Sequence, residues 1–402
     1  MQKLQILSDA AKYDASCASS GTTKRNSSGG GLGSTEGRGI CHAYAPDGRC
    51  ISLLKILMTN FCTFDCAFCI NRASSNVERA RFSVEEVVSL TIEFYRRNYI
   101  EGLFLSSGII KSPDKTMEDM VRIVKTLRID RAFKGYIHLK AIPGASPKLV
   151  EEAGLYVDRL SVNIELPSDQ SLQNFAPEKD AVEIKKAMAD IKGSIASASE
   201  KTLQTKRSKT FAPAGQSTQM IVGADASNDT LILQRSASLY SGYGLRRVYY
   251  SAFSPIPDSS KALPLIKPPL MREHRLYQAD WLMRFYDFRF DEVASATKDG
   301  MLDLEVDPKL AWALGNRGRF PVDVNRAARE VLLRVPGFGT RTVERILSAR
   351  VIKSLAYDDL ARLGAVMKKA KPFISARGWS PRMLDEEGLR SRFVASQQLS
   401  LL

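Results

Sequence analysis

From Ile51 onward the sequence alternates between short apolar runs and longer amphipathic segments, and this alternation constrains the fold more than any other feature. The apolar runs predict strands, which cover residues 51–58, 102–105, 136–142, 157–164, 219–223 and 247–252. The segments between them predict helices. One helix begins at the N-cap residue Ser83, and the others cover 117–127, 146–153, 181–191 and 230–240. About six strand–helix units favour a parallel sheet with crossover helices. The sequence therefore predicts an α/β fold, an incomplete (β/α)6 barrel.

Three cysteines, Cys62, Cys66 and Cys69, follow the first predicted strand with the spacing C-x3-C-x2-C. Three thiolates without a fourth leave one iron of a [4Fe-4S] cluster open to an outside molecule. The alternative is a structural zinc ion, but a closed zinc site takes four ligands, and its usual pattern pairs two C-x2-C units. The spacing therefore favours an iron–sulfur cluster with one open iron.

The remaining cysteines, Cys17, Cys41 and Cys50, match no metal-binding spacing, so ordinary thiols are preferred over a second metal site. No apolar run approaches the roughly 18 to 20 residues that span a bilayer. Residues 1–12 lack a signal-peptide core. We therefore expect a cytoplasmic protein with reduced thiols and no membrane partner. The net charge of +14 would attract a polyanion such as DNA or RNA.

Two segments differ from this pattern, one before the alternation begins and one within it. Residues 16–39 are rich in Ser, Gly and Thr and predict a flexible loop or, alternatively, a segment that a ligand orders. Residues 193–216 carry basic side chains without apolar periodicity, and they predict a solvated surface loop or, alternatively, an arm along a phosphate backbone. We therefore divide the chain into an N-terminal extension (1–50), a barrel (51–288, with the insertion 193–216) and a C-terminal helical domain (289–402).

A second motif lies in that last domain, where two apolar helical segments flank Pro336-Gly337-Phe338-Gly339. It resembles the helix-hairpin-helix of DNA repair and recombination proteins. The glycines let the turn expose backbone N–H groups, which form a phosphate pocket at the start of the second helix. Such contacts hold the backbone and do not read base sequence. The alternative is a tight turn only. The predicted DNA-binding residues are Gly337, Gly339, Thr340, Arg341 and Arg345, and further basic residues nearby are Arg334, Arg350 and Lys353.

The cysteine loop, with an aromatic residue before its last cysteine, resembles the cluster loop of the radical S-adenosylmethionine (SAM) superfamily. In that superfamily, SAM binds the open iron of a [4Fe-4S] cluster, and an electron from the reduced cluster splits it to a 5'-deoxyadenosyl radical that abstracts hydrogen. The resemblance implies the same barrel, both cofactors and an electron donor such as flavodoxin or ferredoxin.

The resemblance also implies cofactor-binding residues at the carboxyl ends of the strands, where active sites of such barrels lie. These residues are Phe68, Ser106, Ser107, Gly108, Asn163, Glu165 and Gly223. Phe68 matches the aromatic beside adenine, and Ser106 to Gly108 match the strand end that holds the methionyl amino group. Asn163 and Glu165 match the polar strand end near ribose and the methionyl group. Gly223 matches the place where backbone comes close to adenine. Ser106 to Gly108 replace a Gly-Gly-Glu sequence, so the acidic residue is missing. The alternative is that these residues only cap strands.

Together the motifs resemble the DNA modification/repair radical SAM family, whose members have been linked to a uracil-DNA-glycosylase-like partner. The resemblance extends to the run from Ala11 to Cys17, and so to nearly the whole chain. It implies a radical SAM enzyme that modifies or repairs DNA. Two alternatives stay open, an RNA-modifying radical SAM enzyme and a non-enzymatic DNA-binding iron–sulfur redox sensor.

Overall fold

A computed structural model describes residues 2–11, 40–44, 50–204, 210–256, 260–381 and 388–394. The segment 16–39 and most of the run from Ala11 to Cys17 lie outside these residues. Within them, no helix is long and apolar enough to cross a membrane. Contacts between residues divide the chain into two units, one of residues 1–227 and 238–268 and the other of residues 228–237 and 269–402.

The first unit is built on one sheet of seven strands in the order β1 to β7. Strands β2 to β7 run parallel, as predicted, and β1 is antiparallel to β2. The sheet confirms the predicted α/β fold as a curled, open half-barrel. The strands are β1 (Ile40–Tyr44), β2 (Cys50–Leu57), β3 (Gly102–Ser106), β4 (Tyr136–Lys140), β5 (Arg159–Ser161), β6 (Gln216–Val222) and β7 (Arg247–Ala252).

Side chains from distant strands of this sheet meet on its concave face. Leu53 of β2, Phe104 of β3 and Tyr249 of β7 belong to one buried cluster, although β7 is far from β2 in the sheet order. The Phe104 ring stacks on His138 of β4 with a centroid distance of 4.3 Å. Because side chains alternate between the two faces of a strand, Lys140 lies on the same inward face as His138. The sheet therefore curls around an interior that receives alternate residues.

Helices connect the strands as the alternation predicted. Ser83 caps the first crossover helix, because its hydroxyl accepts from the Glu86 N–H at 3.1 Å and the Glu86 carboxylate accepts from the Ser83 N–H at 2.7 Å. The helices are α1 (Gln2–Ala10), α2 (Val84–Arg96), α3 (Pro113–Ile129), α4 (Pro147–Gly154), α5 (Asp169–Phe175), α6 (Ala181–Gln204) and α7 (Asp229–Tyr243).

The prediction of a loop over 193–216 was wrong for its first half, because α6 continues to Gln204. Residues 193–204 contain Ala, Glu, Lys, Leu and Gln, which favour helix even where no apolar face is buried. A missing apolar period therefore does not by itself indicate a loop. Residues 205–209, with three of the basic side chains, lie outside the described residues.

The second unit is mainly helical. Its helices are α8 (Leu270–Phe285), α9 (Phe290–Ala294), α10 (Pro308–Gly315), α11 (Arg329–Arg334), α12 (Thr340–Arg350), α13 (Tyr357–Arg362) and α14 (Met367–Ala370), with 3-10 turns at Arg317–Arg319, Lys371–Phe373 and Arg390–Arg392. The all-α prediction was incomplete, since β8 (Val322–Asp323) pairs in parallel with β9 (Ile374–Ser375). Strands of two residues are too short to leave a periodic pattern. Helix α8 lies within the predicted barrel domain (51–288), whereas its contacts with α9 and α10 put it in this unit.

Candidate active site

The cysteine loop leaves the carboxyl end of β2 and is fixed by backbone hydrogen bonds. The Thr63 N–H donates to the Ile109 carbonyl at 2.9 Å, which ties the loop to the chain after β3. The Cys69 N–H donates to the Cys66 carbonyl, also at 2.9 Å, so these two cysteines share one tight turn. The loop therefore presents its thiols from a defined backbone.

The Arg79 side chain fixes the backbone of this loop by hydrogen bonds. Its guanidinium donates to four backbone carbonyls, those of Asn60, Asn71, Arg72 and Ser75. The buried Asn60 side chain donates to the Glu78 carbonyl and accepts from the Ala80 N–H, both at 2.7 Å. Neither role is predicted from the sequence, because a side chain that bonds backbone in a loop leaves no periodic signal.

A cavity of about 150 Å³ opens beside the three cysteines. Nine of the predicted site residues line it, namely Cys62, Cys66, Cys69, Phe68, Ser106, Ser107, Gly108, Asn163 and Glu165. Lys140, Lys179 and Gln219 also line it, and the sequence analysis did not predict them. Lys140 and Gln219 could have been found from strand alternation, whereas Lys179 gives no local signal.

Two predicted glycines have different surroundings. A Cβ on Gly108 would lie 2.2 Å from the Phe61 carbonyl oxygen, so a glycine lets the end of β3 pass the cysteine loop. The Gly108 N–H donates to the Thr59 carbonyl at 2.8 Å and fastens that approach. Gly223 follows β6 with φ of +80° and is not among the described residues that line the cavity. Gly108 thus has a structural role beside the cavity.

Polar side chains from β4 to β6 form one wall of the cavity. Lys179 Nζ lies 2.6 Å from Glu165 Oε1, and these side chains are only 11% and 10% exposed. Asn163 Nδ2 donates to Glu165 Oε2 at 3.3 Å. Gln219 Oε1 accepts from Lys140 Nζ at 3.2 Å. The Oδ1 atom of Asn163 is buried and has no hydrogen-bond partner among the described residues, so an acceptor is left for a ligand.

Burial controls the protonation of the thiols. It raises the pKa of Cys66 to about 11 and the pKa of Cys69 to about 12, although the positive charge of Lys179 opposes both shifts. Burial also disfavours the charged form of Lys179, but the Glu165 carboxylate and the two cysteines outweigh it and raise the pKa of Lys179. The buried thiols are therefore protonated at neutral pH, and metal binding must release their protons.

Within the described residues, the three thiols are not grouped as the ligands of one metal ion would be. In the part of the chain that the structure describes, no three side chains of Cys, His, Asp or Glu are grouped closely enough to hold one ion. A mononuclear zinc site requires such convergence. Three thiols around one cavity instead match the ligands of a cluster in which each sulfur binds a different iron.

Comparison with known families decides the assignment of this region. Residues 56–199, which include all three cysteines, match the radical SAM superfamily. The chain carries a radical SAM domain. None of the curated proteins compared with the chain matches it. The cofactors that the superfamily implies are a [4Fe-4S] cluster and SAM, as predicted. The cavity of the radical SAM domain fits them, with three thiols for the cluster and the unpartnered Asn163 oxygen for a polar ligand.

Solved structures with distant likeness to the chain include radical SAM proteins. The FeFe-hydrogenase maturase HydG from Carboxydothermus hydrogenoformans is 15% identical, with a TM-score of 0.41, over 55% of this chain and 48% of that chain. Methylornithine synthase (PylB) is 14% identical, with a TM-score of 0.42, over 55% of this chain and 60% of that chain. A radical SAM methyltransferase from Sphaerobacter thermophilus is 15% identical, with a TM-score of 0.36, over 60% of this chain and 69% of that chain. At these values the likenesses carry no information on substrate.

Apart from the radical SAM domain, the predicted hairpin lies between α11 and α12. Gly337 has φ of +82°, and a Cβ there would lie 2.5 Å from the Val366 carbonyl oxygen. The Val366 N–H donates to the Gly337 carbonyl at 3.0 Å, so a second turn packs on the hairpin. Gly339 is the N-cap of α12, and the Thr340 N–H bonds the Tyr286 hydroxyl. The start of α12 therefore already has one hydroxyl acceptor.

The basic side chains around the hairpin are not equally available. Arg341 and Arg345 are exposed, although Arg345 also makes a long bond of 3.4 Å to a backbone carbonyl. Arg334 is ion-paired with Glu292 at 2.7 Å, and Arg350 donates to two backbone carbonyls. The positive charge expected from all the nearby arginines therefore comes mainly from Arg341 and Arg345.

Proposed function

We propose that the chain is a radical SAM enzyme that modifies or repairs DNA. The observation that carries the enzymatic part is the convergence of three thiols and the polar strand ends on one cavity of the radical SAM domain. The DNA part is supported by the turn at Gly337 and Gly339 between α11 and α12, by the exposed Arg341 and Arg345, and by the net charge of +14.

In this proposal the thiolates of Cys62, Cys66 and Cys69 hold the cluster. When bound, the reduced cluster and SAM supply a 5'-deoxyadenosyl radical for hydrogen abstraction. Phe68 contacts the adenine, and Asn163 offers its unpartnered oxygen to a donor group of SAM. These residues bind and orient the cofactors within the cavity.

Glu165 takes the place of the acidic residue that β3 lacks. Among the described residues that line the cavity, it is the only carboxylate. Its backbone has φ of +63°, and it is bonded on both sides to β6, through the Gln219 carbonyl and the Ile221 N–H. A carboxylate fixed in this way can accept a hydrogen bond from the methionyl ammonium group of SAM. Ser106 and Ser107 supply neutral oxygens at the end of β3.

DNA is the proposed macromolecular partner, and it is bound through its phosphates. The hairpin residues Gly337, Gly339 and Thr340 form the turn, and Arg341 and Arg345 supply the charge. We further propose a flavodoxin or ferredoxin as the electron donor, a uracil-DNA-glycosylase-like protein as a second partner and the cytoplasm as the location. The two protein partners follow from the family that the sequence resembles, and the location follows from the expectation of reduced thiols.

The catalytic proposal is tested under anaerobic conditions with the reconstituted full-length protein. The cluster is reduced with dithionite, SAM is added with duplex DNA, single-stranded DNA, RNA or no nucleic acid, and 5'-deoxyadenosine is measured by mass spectrometry. We expect production that rises with DNA. A rise with RNA alone would support the RNA-modifying alternative. An intact cluster whose spectrum does not change when SAM is added would support the non-enzymatic redox sensor.

DNA binding is tested separately by fluorescence anisotropy with a labelled duplex. We expect the double variant Arg341→Ala/Arg345→Ala to weaken binding by roughly tenfold. The slope of log K against log salt concentration should then correspond to about two fewer released counterions. The matched control is Arg131→Ala/Lys134→Ala, which removes two exposed charges from the radical SAM domain. Equal losses in both double variants would mean that only net charge matters, and the hairpin would then have no special role.

A further inference from the structure

The segment after α5 is fastened to the cysteine loop on both sides of Cys66. The Ala67 N–H donates to the Phe175 carbonyl at 2.7 Å, and the Asp65 N–H donates to a Glu178 carboxylate oxygen at 2.9 Å. Ala176, between these two contacts, is fully buried. Lys179 directly follows Glu178, and it lines the cavity together with the three cysteines. The backbone that carries Lys179 is therefore anchored to the loop that carries the thiols.

Glu165, the ion-pair partner of Lys179, is anchored elsewhere. Its N–H donates to the Gln219 carbonyl at 3.1 Å, its carbonyl accepts from the Ile221 N–H at 2.7 Å, and its side chain accepts from Asn163. The carboxylate thus belongs to the β5–β6 wall, whereas the ammonium belongs to the cysteine loop. The two members of the pair can act on different parts of the cavity.

We propose that the fixed positive charge of Lys179 raises the reduction potential of the cluster. This inference rests on the proposed cluster site. A cluster with three thiolate ligands is an anion, and it becomes more negative when it accepts an electron. A nearby buried cation therefore stabilises the reduced form more than the oxidised form, because the attraction grows with the charge and is only weakly screened. Net charge is one of the factors that set such potentials.

The test is a potentiometric titration of the reconstituted cluster, followed by electron paramagnetic resonance without SAM, so that cofactor binding does not enter. We expect Lys179→Met to keep its iron and to show a roughly tenfold smaller ratio of reduced to oxidised cluster at a fixed potential, which is a fall of about 59 mV for a one-electron couple. Lys179→Arg retains the charge and should keep a potential near that of the wild type.

The double variant Lys179→Met/Glu165→Gln separates a direct effect from an effect through Glu165. We expect its potential to lie between those of Lys179→Met and the wild type, because both opposite charges are gone. A wild-type potential in the double variant would mean that Lys179 only neutralises Glu165, and the inference would be overturned.

Three further outcomes are decisive. An unchanged potential in Lys179→Met on an intact cluster overturns the inference and leaves the proposed function standing. The inference is also overturned if Lys179→Arg and the double variant both fail to assemble a cluster, since the role would then be structural. If the wild-type chain itself assembles no [4Fe-4S] cluster, the proposed function fails, and this inference fails with it.

Discussion

The side-chain nitrogen of Lys309 donates a hydrogen bond of 2.7 Å to the carbonyl oxygen of Phe338, inside the turn between α11 and α12. Lys309 is only 7% exposed. Burial lowers the pKa of Lys309 to about 7; the Asp307 carboxylate opposes this shift, and the charges of Arg334 and Lys369 add to it. A side chain of α10 thus fixes the hairpin backbone, and it loses its proton near neutral pH.

This protonation makes the stability of the C-terminal unit depend on pH. Between about pH 7 and pH 10 the unfolded chain keeps the Lys309 proton and the folded chain does not, so the free energy of unfolding rises with pH. Below pH 7 both states are protonated, and the cost of the buried charge is fully present. We expect Lys309→Met to lack this slope. Equal pH slopes in the two proteins would show that Lys309 is not buried as a titrating group.

Tryptophan fluorescence during urea unfolding measures this unit alone. All three tryptophans of the chain lie in it, namely Trp281, Trp312 and Trp379. The full-length protein can therefore be used at each pH, and unfolding of the radical SAM domain does not contribute to the signal.

Gly337→Ala should destabilise the same unit more than Gly378→Ala. Both glycines have positive φ, of +82° and +77°, so each alanine costs about 1–2 kcal/mol in backbone strain. Only at Gly337 would the new Cβ also meet backbone, 2.5 Å from the Val366 carbonyl oxygen, whereas at Gly378 no atom lies within 4 Å. The fluorescence measurement compares the two variants. Equal losses would contradict the close packing of the second turn on the hairpin.

Arg79→Met should open the cysteine loop. The variant loses charge-assisted hydrogen bonds to four carbonyls, and we expect it to lower the stability of the radical SAM domain by more than about 3 kcal/mol. Iron per chain after reconstitution should fall as well. The control is Arg97→Met, whose exposed ion pair with Glu93 spans 3.8 Å and contributes at most about 0.5 kcal/mol. Circular dichroism melts and iron assays measure both effects; full iron loading in Arg79→Met would count against this role.

Cys66→Ala should abolish cluster assembly, because it removes one of the three thiolates. Cys50→Ala is the matched control, since Cys50 is an exposed thiol of β2 and does not line the cavity. We expect background iron content in the first variant and wild-type content in the second. The absorbance of the reconstituted cluster gives an independent measure. Retention of full iron by Cys66→Ala would refute the ligand assignment.

Features that depend on neighbouring residues could be predicted from the sequence. The order of strands and helices follows from local apolar patterns, and the Ser83 cap follows from two residues three positions apart. The three cysteines lie within eight positions of one another, so their shared loop is a property of the chain itself. The glycines of the hairpin likewise indicate a turn before α12.

Only the tertiary structure decided which distant side chains share a site. Lys179 and Glu165 are fourteen positions apart, and Lys140 and Gln219 are seventy-nine apart, so no local pattern connects either pair. The same holds for the pairing of Arg334 with Glu292, which removes one expected cation from the hairpin. Local sequence sets backbone preference over a few residues, whereas the curl of the sheet and long-range packing determine which side chains face each other, and charges act only across the distances that packing creates.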